Sequence, residues 1–440
     1  MSYDIDFKDL PEEWKWVRLE EVIEDIADGG TPSRDNPEYF NGNITWLVVD
    51  DIQRKIIKTR ETITAEGLKH SNAKLWKKGT VILSFGATIG EVGIAEIELA
   101  TKQGIAGIVP QKDKLLNTFL YYVLKHNKHI LLRYANQTTI MEVRPSVIKE
   151  KFKLPLPPLP EQQKIAEILE TVDNAIEKTE KIIEKYKRIK QGLMQDLLTK
   201  GIDENGNIRS EKTHKFKGSP LGRIPEEWEV VRLGEVSKTI TKGTTPTTYG
   251  FLYVNDGINF IKIESIDENG NFITEKFEHI DKKTNDYLSR SKLEEGDILF
   301  SIAGALGRVA IIEKSVLPAN TNQALAIIRL KEKKETTIKF LKFYLTSFLI
   351  QNYIENVLVK SAQSNLTLKH ISNFLIPLPP LPEQQRIAEI LTQTDQAIEK
   401  EQQYKEKLQR TKQGLMQDLL TGKVRVNKLL EVENNELRKS

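Results

Sequence analysis

With 440 residues, of which 39% are hydrophobic and 29% charged, the chain is too long for one compact core and too apolar for a disordered protein; it suits two or three globular domains. It contains no cysteine, which excludes disulfides, thiolate metal sites and a cysteine nucleophile. The formal net charge of +3 selects no class of partner, so recognition has to be sought in local patterns.

The amino-terminal MSYDIDFKDL has no basic region followed by an apolar run, and no stretch of about 18 apolar residues occurs; a cytoplasmic protein without membrane association is expected. The first segment opens with PEEWKWVRL at 11–19 and a Gly-Thr-Pro turn at 30–32. In GTVILSFGATIGEVGIA from Gly79, the run 81–83 reads as a buried strand broken by small residues. Lys102-Gln103-Gly104 introduces another apolar strand, and 117–134 reads as helical. The segment closes on a proline-rich run, after which Pro160-Glu161-Gln162 reads as a helix opening. Proline is tolerated in a first turn, and an acid there suits the helix dipole.

Ile165, Leu169, Val172, Ile176, Thr179, Ile183, Tyr186, Lys190, Leu193 and Leu197 then alternate in steps of four and three, a heptad seam. Gly201 ends it. About 39 residues at a rise of about 1.5 Å predict a rod of roughly 58 Å. The polar, turn-rich stretch 201–220 reads as a linker.

The second half repeats the first. PEEWEVVRL lies at 225–233, a Gly-Thr-Thr-Pro turn with one extra Thr at 243–246, GDILFSIAGALGRVAII from Gly296, Asn322-Gln323-Ala324, and a helical stretch at 337–358. PLPPLPEQQKIAEIL at 155–169 returns as PLPPLPEQQRIAEIL at 377–391, and KQGLMQDLLT at 190–199 returns unchanged at 412–421. The second seam keeps Ile387, Leu391, Thr394, Ile398, Leu408, Leu415 and Leu419, but Glu401 and Lys405 weaken its middle. Between these framework pieces the halves differ: SRDNPEYFNGNITWLVVDDIQRK has no close match in TTYGFLYVNDGINFIKIESID.

The expected fold class is α+β: two similar mixed α/β domains at 1–157 and 221–379, with two long helices at 158–200 and 380–422 forming an antiparallel coiled coil, a linker at 201–220, a tail at 423–440 and a pseudo-two-fold internal repeat. An intermolecular coiled coil or a core helix is the alternative for the seams. The clusters Lys181, Lys185, Lys187, Arg188 and Lys190, and Lys405, Lys407, Arg410 and Lys412 fit a solvated helix face or contact with a phosphate backbone.

The duplicated PLPPLPEQQ runs, the paired QGLMQDLLT ends, the PEEW openings and the Gly-Thr-Pro turns together make the chain resemble, over nearly its full length, the specificity subunits of type I restriction-modification systems. The resemblance implies two target-recognition domains, each reading half of a bipartite double-stranded DNA site across an unread spacer. It implies a non-catalytic chain that binds two methyltransferase subunits, joined by motor and nuclease subunits, and directs adenine methylation and restriction by them.

Base edges are read by paired donors and acceptors, so polar residues of the divergent regions are the candidates: Ser33, Arg34, Asn36, Lys55, Gln103, Gln137, Thr138 and Thr139 in the first half, and Thr244, Thr245, Thr247, Lys262, Asn322, Gln323, Gln363, Ser364 and Asn365 in the second. Lys58, Arg60, Lys282, Lys283 and Arg290 are better placed as phosphate contacts. Identity between the repeats extends to positions expected to face outward, Glu161, Gln162, Gln191 and Gln195 with Glu383, Gln384, Gln413 and Gln417. Two copies of one partner meeting two equivalent surfaces would account for it.

The competing classes are a self-contained DNA methyltransferase and a coiled-coil adaptor. Asn36-Pro37-Glu38-Tyr39 only grazes the Asn-Pro-Pro-Tyr motif that holds a flipped adenine and reads as a turn. There is no phosphate-loop motif and no HExxH pair, and Glu332-Lys333-Lys334 lies in a charge run. No cofactor or metal is expected.

Overall fold

A computed structural model describes residues 10–86, 88–135, 143–331, 336–361 and 364–431. It divides into two compact units, unit 1 comprising Met1–Glu180 with Gln403–Ser440 and unit 2 comprising Lys181–Gln402. Among the described residues, no helix is long and apolar enough to cross a membrane.

Unit 1 contains β1 (Lys15–Arg18), β2 (Ile23–Asp28), β3 (Phe40–Leu47), β4 (Lys55–Ile56), β5 (Glu61–Ile63), α1 (Ala65–Lys69), β6 (Leu75–Trp76), β7 (Val81–Ser84), β8 (Val92–Ala95), β9 (Leu99–Thr101), β10 (Ile105–Pro110), α2 (Asn117–His126), α3 (Lys128–Arg133), α4 (Pro145–Lys151), β11 (Lys153–Leu156) and the start of α5 (Leu159–Leu197). Its sheets have the orders β2-β10-β7-β8-β4 and β5-β3-β9-β6, with β1 paired to β11. The strand β7 is wholly buried, and the two-residue period of a strand splits its side chains between two cores. Val81 and Leu83 pack with Phe119 and Leu120 of α2, while Ile82 packs with Leu47, Trp76 and Leu99 of the second sheet.

Unit 2 follows with β12 (Phe216–Ser219), β13 (Gly222–Pro225), β14 (Glu229–Arg232), α6 (Leu233–Val236), β15 (Ser237–Lys242), β16 (Ile258–Ile261), β17 (Glu278–Ile280), α7 (Lys282–Tyr287), β18 (Ile298–Ser301), β19 (Val309–Ile311), β20 (Ala319–Thr321), β21 (Leu325–Leu330), α8 (Ile338–Leu345), α9 (Phe348–Ser361), α10 (Leu368–Ser372), β22 (Leu375–Leu378) and the start of α11 (Leu381–Leu420). The sheet orders β15-β21-β18-β19 and β17-β16-β20, and the pair β14-β22, repeat unit 1 without its end strands β4 and β6. Ile298 and Phe300 face the helical core and Leu299 the other one, as in β7.

Each unit encloses the start of one long helix and the end of the other. In unit 1, Ile165 and Leu169 of α5 share a core with Leu415, Met416 and Leu419 of α11. In unit 2, Leu193, Met194 and Leu197 of α5 share one with Ile387 and Leu391 of α11. The helices run antiparallel within unit 1, where Asp173 meets Lys412 at 2.5 Å and Glu180 meets Lys405 at 2.8 Å. Unit 2 keeps that register with Lys190 and Asp395 at 2.6 Å. The 222-residue repeat maps Asp173 to Asp395 and Lys190 to Lys412, so one ion pair is made twice. Lys405, expected to weaken the seam, crosses to Glu180 instead.

The helix openings correct one expectation. Glu161, Gln162, Glu383 and Gln384 are buried and do not face outward. Trp14 Nε1 donates to Glu161 at 3.3 Å and Trp228 Nε1 to Glu383 at 3.2 Å. Arg425 and Arg209 complete these two sites, Arg425 Nε at 2.9 Å from Glu161 and Arg209 Nη2 at 3.2 Å from Glu383. The Glu161 carboxylate, and Glu13 after it, hold the Arg425 guanidinium above its ordinary pKa. A buried carboxylate needs such partners, so identity of the PEQQ runs follows from internal packing. The stretches read as linker and tail are therefore partly structural: each supplies an arginine, and Ile202 and Val426 are buried.

The doubled ion pair yields a test by charge exchange. Asp173 also accepts a hydrogen bond from Tyr122 at 2.8 Å, so Asp173→Lys alone is expected to destabilise by about 3–5 kcal/mol. Adding Lys412→Asp is expected to recover roughly half of that loss, since Tyr122 stays unmatched. Denaturant unfolding of the two variants measures both effects.

Candidate nucleic-acid interface

Four loops converge in each unit, held by backbone hydrogen bonds. After β2, Gly29 N donates to Ile105 O at 3.0 Å and Gly30 N to Thr101 O at 2.9 Å. After β15, Gly243 N donates to Leu325 O at 3.3 Å and Thr244 N to Thr321 O at 3.1 Å. Gly29 thus matches Gly243, and the expected extra Thr is not an insertion: Thr244 stands where unit 1 has Gly30. A Cβ on Gly29 would lie 2.1 Å from Thr101 O, and one on Gly243 2.0 Å from Thr321 O, so both places demand glycine. Gly30 is required by Ala73 N, 2.1 Å from a Cβ there. Thr244 instead accepts a hydrogen bond from Arg290 at 3.1 Å.

The loops after β7 and β18 have one design. Ser84 Oγ accepts from Glu91 N at 2.9 Å and donates to Thr88 O; Ser301 Oγ accepts from Arg308 N at 2.8 Å and donates to Ala305 O. Phe85 N to Gly104 O at 2.9 Å and Ile302 N to Ala324 O at 2.8 Å seat each loop on the β9–β10 or β20–β21 turn. Val143 N to Phe85 O at 3.0 Å and Leu366 N to Ile302 O at 2.9 Å bring in the fourth segment. Because main-chain groups carry this scaffold, side chains at the loop tips are free to differ.

In unit 1, Gln103 and Arg60 line a cleft of about 480 Å³ with Asp50, Thr88 and Lys102. Arg60 is held by Asp51 at 2.6 Å and Asp50 at 3.3 Å, which raise its pKa. Ser33 and Arg34 are exposed. Arg34 pairs with Glu61 at 2.9 Å and lies 4.9 Å from the ring centre of Phe40. Asn36 precedes the short turn Pro37–Tyr39, as expected of Asn-Pro-Glu-Tyr. Lys55 does not join the cleft: it pairs with Glu170 of α5 at 2.6 Å, beside Arg54, which reaches Glu177 at 2.9 Å. Lys58 is exposed. Gln137, Thr138, Thr139, Gln363 and Glu332-Lys333-Lys334 lie outside the described residues.

In unit 2, Thr245 donates to Gln323 Oε1, and Asn322 Oδ1 accepts from Ala324 N at 3.1 Å. Thr244, Thr245, Arg290 and Gln323 are therefore brought together. Lys262 pairs with Glu278 at 3.1 Å and sits 4.5 Å from the Tyr253 ring centre. Its counterpart by register is Val48, not Lys55, since Leu47 faces Thr101 as Ile261 faces Thr321. Thr247, Lys282, Lys283, Ser364 and Asn365 are exposed. Thr88 and Lys102 were not singled out from sequence, because the runs around them read only as strand and turn.

A second surface lies on the long helices. Gln191, Gln195 and Gln413 are exposed and Gln417 is half-buried. No neighbouring atom lies within 4 Å of a Cβ built on Gly192 or Gly414.

The glycines separate into two outcomes. Gly29→Ala and Gly243→Ala are expected to destabilise by about 2–4 kcal/mol through backbone clash. Gly192→Ala and Gly414→Ala are expected to stabilise by about 0.5–1 kcal/mol through helix propensity. Thermal unfolding of the four variants decides.

Residues 11–188 and 225–410 match the family model for the type I restriction modification DNA specificity domain. The chain is 30% identical over 433 residues to the putative type I restriction enzyme MjaX specificity subunit of Methanocaldococcus jannaschii, spanning 95% of each chain. It is 30% identical over 430 residues to the MjaVIII specificity subunit of the same organism, spanning 96% of this chain and 95% of that one. Its fold is similar to that of the type I restriction-modification S subunit from M. genitalium, with a TM-score of 0.58 at 18% identity over 94% of this chain and 98% of the other.

Proposed function

The chain belongs to the type I restriction-modification specificity subunits, and on that premise we propose that it selects an asymmetric, two-part DNA site, each unit reading one part. The observation that carries this reading is one loop scaffold built twice with tips that differ around a shared glutamine, Gln103 or Gln323: Ser33, Arg34 and Lys102 in one copy, Thr247, Thr248 and Asn322 at the matching places in the other. Like frames with unlike contacts suit two half-sites of different sequence. Ser33, Asn36, Thr247, Ser364 and Asn365, with Gln137, Thr138, Thr139 and Gln363, add donors and acceptors for base edges. Lys58, Lys282 and Lys283 position the phosphate backbone.

The recognition domains are 1–157 and 221–379, and the helices set the gap. A helix of 39 residues is roughly 58 Å long, more than the 34–36 Å or so of one DNA turn. Methyl transfer to adenine and cleavage belong to partner proteins in the cytoplasm. Two methyltransferase subunits dock on the stripes of identical sequence around Gln191, Gly192 and Gln195 and around Gln413, Gly414 and Gln417, and motor and nuclease subunits join through that complex.

Removing one heptad from both α5 and α11 keeps the helix faces in phase and shortens the rod by roughly 10 Å. Methylation assays on a library of sites are expected to show a shorter permitted spacer with both half-sites unchanged. An unchanged spacer contradicts the proposal.

A further inference from the structure

Unit 2 exposes large apolar side chains on the segments beside the loops described above, and three rings there cluster. Leu252 is 77% exposed, Tyr287 58% and Tyr249 53%. The rings of Tyr249 and Phe251 lie 5.3 and 5.0 Å from that of Tyr287. Single exposed apolar residues are ordinary, but a contiguous patch marks a contact surface. This patch abuts the reading loops: Phe251 N donates to Pro246 O at 3.2 Å, and Arg290, just after Tyr287, donates to Thr244. In unit 1 the exposed large apolar residues include Ile57, Leu75 and Leu132, and the same turn presents Ser33, Arg34, Asp35 and Asn36.

The charges around the patch favour a polyanion as its occupant. Asp281 caps α7 by accepting from Thr284 N at 2.7 Å, and Asp286 pairs with Lys292 at 2.6 Å. Lys282 and Lys283, exposed on the same helix, are then the cations presented alongside Tyr287. Of the four bases, thymine offers an apolar group in the major groove, its 5-methyl, and apolar side chains read it.

We propose that Leu252, next in the chain to Phe251 of this ring cluster, reads a thymine methyl group in the part of the site bound by unit 2. This rests on unit 2 being a DNA-reading unit and deepens that reading. The two units thus differ in the chemistry of readout, hydrogen bonding in unit 1 and partly apolar contact in unit 2.

The test uses the full chain with its methyltransferase subunits and a duplex carrying the mapped site, each thymine replaced in turn by deoxyuridine, which lacks the methyl. One replacement, confined to one half-site, is expected to weaken equilibrium binding about fourfold, the worth of one buried methyl-sized group. Leu252→Ala is expected to bind the thymine duplex about fourfold more weakly and to lose all discrimination between thymine and deoxyuridine at that position. Leu252 is exposed, so an unchanged melting temperature confirms folding. The inference is overturned if no position responds, if the variant still discriminates, or if the variant loses affinity without any wild-type response to deoxyuridine. Failure of the wild-type complex to prefer its mapped site at all overturns the functional reading beneath it.

Discussion

The side-chain amide of Gln162 donates to Pro157 O at 2.9 Å and Lys114 O at 2.8 Å and accepts from Leu116 N at 2.9 Å. Gln384 repeats this with Pro379 O and Thr337 N, both at 2.9 Å. Leu116 and Thr337 are the residues that open α2 and α8, so each amide locks the first turn of a long helix to the first turn of a core helix. Both glutamines are fully buried, and a side chain that cannot satisfy these groups would leave them unpaired at a cost of about 1–3 kcal/mol each. With the neighbouring glutamate held by a tryptophan and an arginine, sliding or rotating the helix against its domain would break these bonds.

That constraint explains where the halves agree and where they differ. Identity is concentrated at positions whose side chains are the fastening: Trp14 and Trp228, Glu161 and Glu383, Gln162 and Gln384. The loops of the candidate interface are fastened by main-chain groups, apart from the glycines and serines that the backbone path needs. Their tips can change without disturbing the frame. Such a frame tolerates change at its loop tips while the geometry between helix and loops is kept.

Much of the plan was legible in the sequence because it rests on periodic burial. The heptad seams, the terminal glycines, the buried strands at 81–83 and 298–300 and the long repeat each leave a local pattern. Long-range pairing leaves none. Nothing local distinguishes a glutamine that faces solvent from one that closes three hydrogen bonds inside a core, and so the PEQQ runs read as outward. The partners of their glutamates, Arg209 and Arg425, lie ten and four residues beyond Thr199 and Thr421, so the internal repeat could not pair them. The turn at 243–246 read as carrying an extra residue because an alignment of letters matched Gly30 to Gly243. The hydrogen bonds to Ile105 and Leu325 match Gly29 instead. Lys55 also pairs with Glu170 on the helix, a partner that no local pattern announces.

If one chain carries two different readers and its helices set the unread gap, a single methylation motif should depend on this gene. Methylome sequencing of the source strain, with and without the gene, measures this most directly. One interrupted, asymmetric adenine-methylation motif is expected to disappear with the gene, its two parts unlike and its spacer of a single length. A methylation pattern unchanged by the deletion, or a lost motif that is continuous or palindromic, would contradict it.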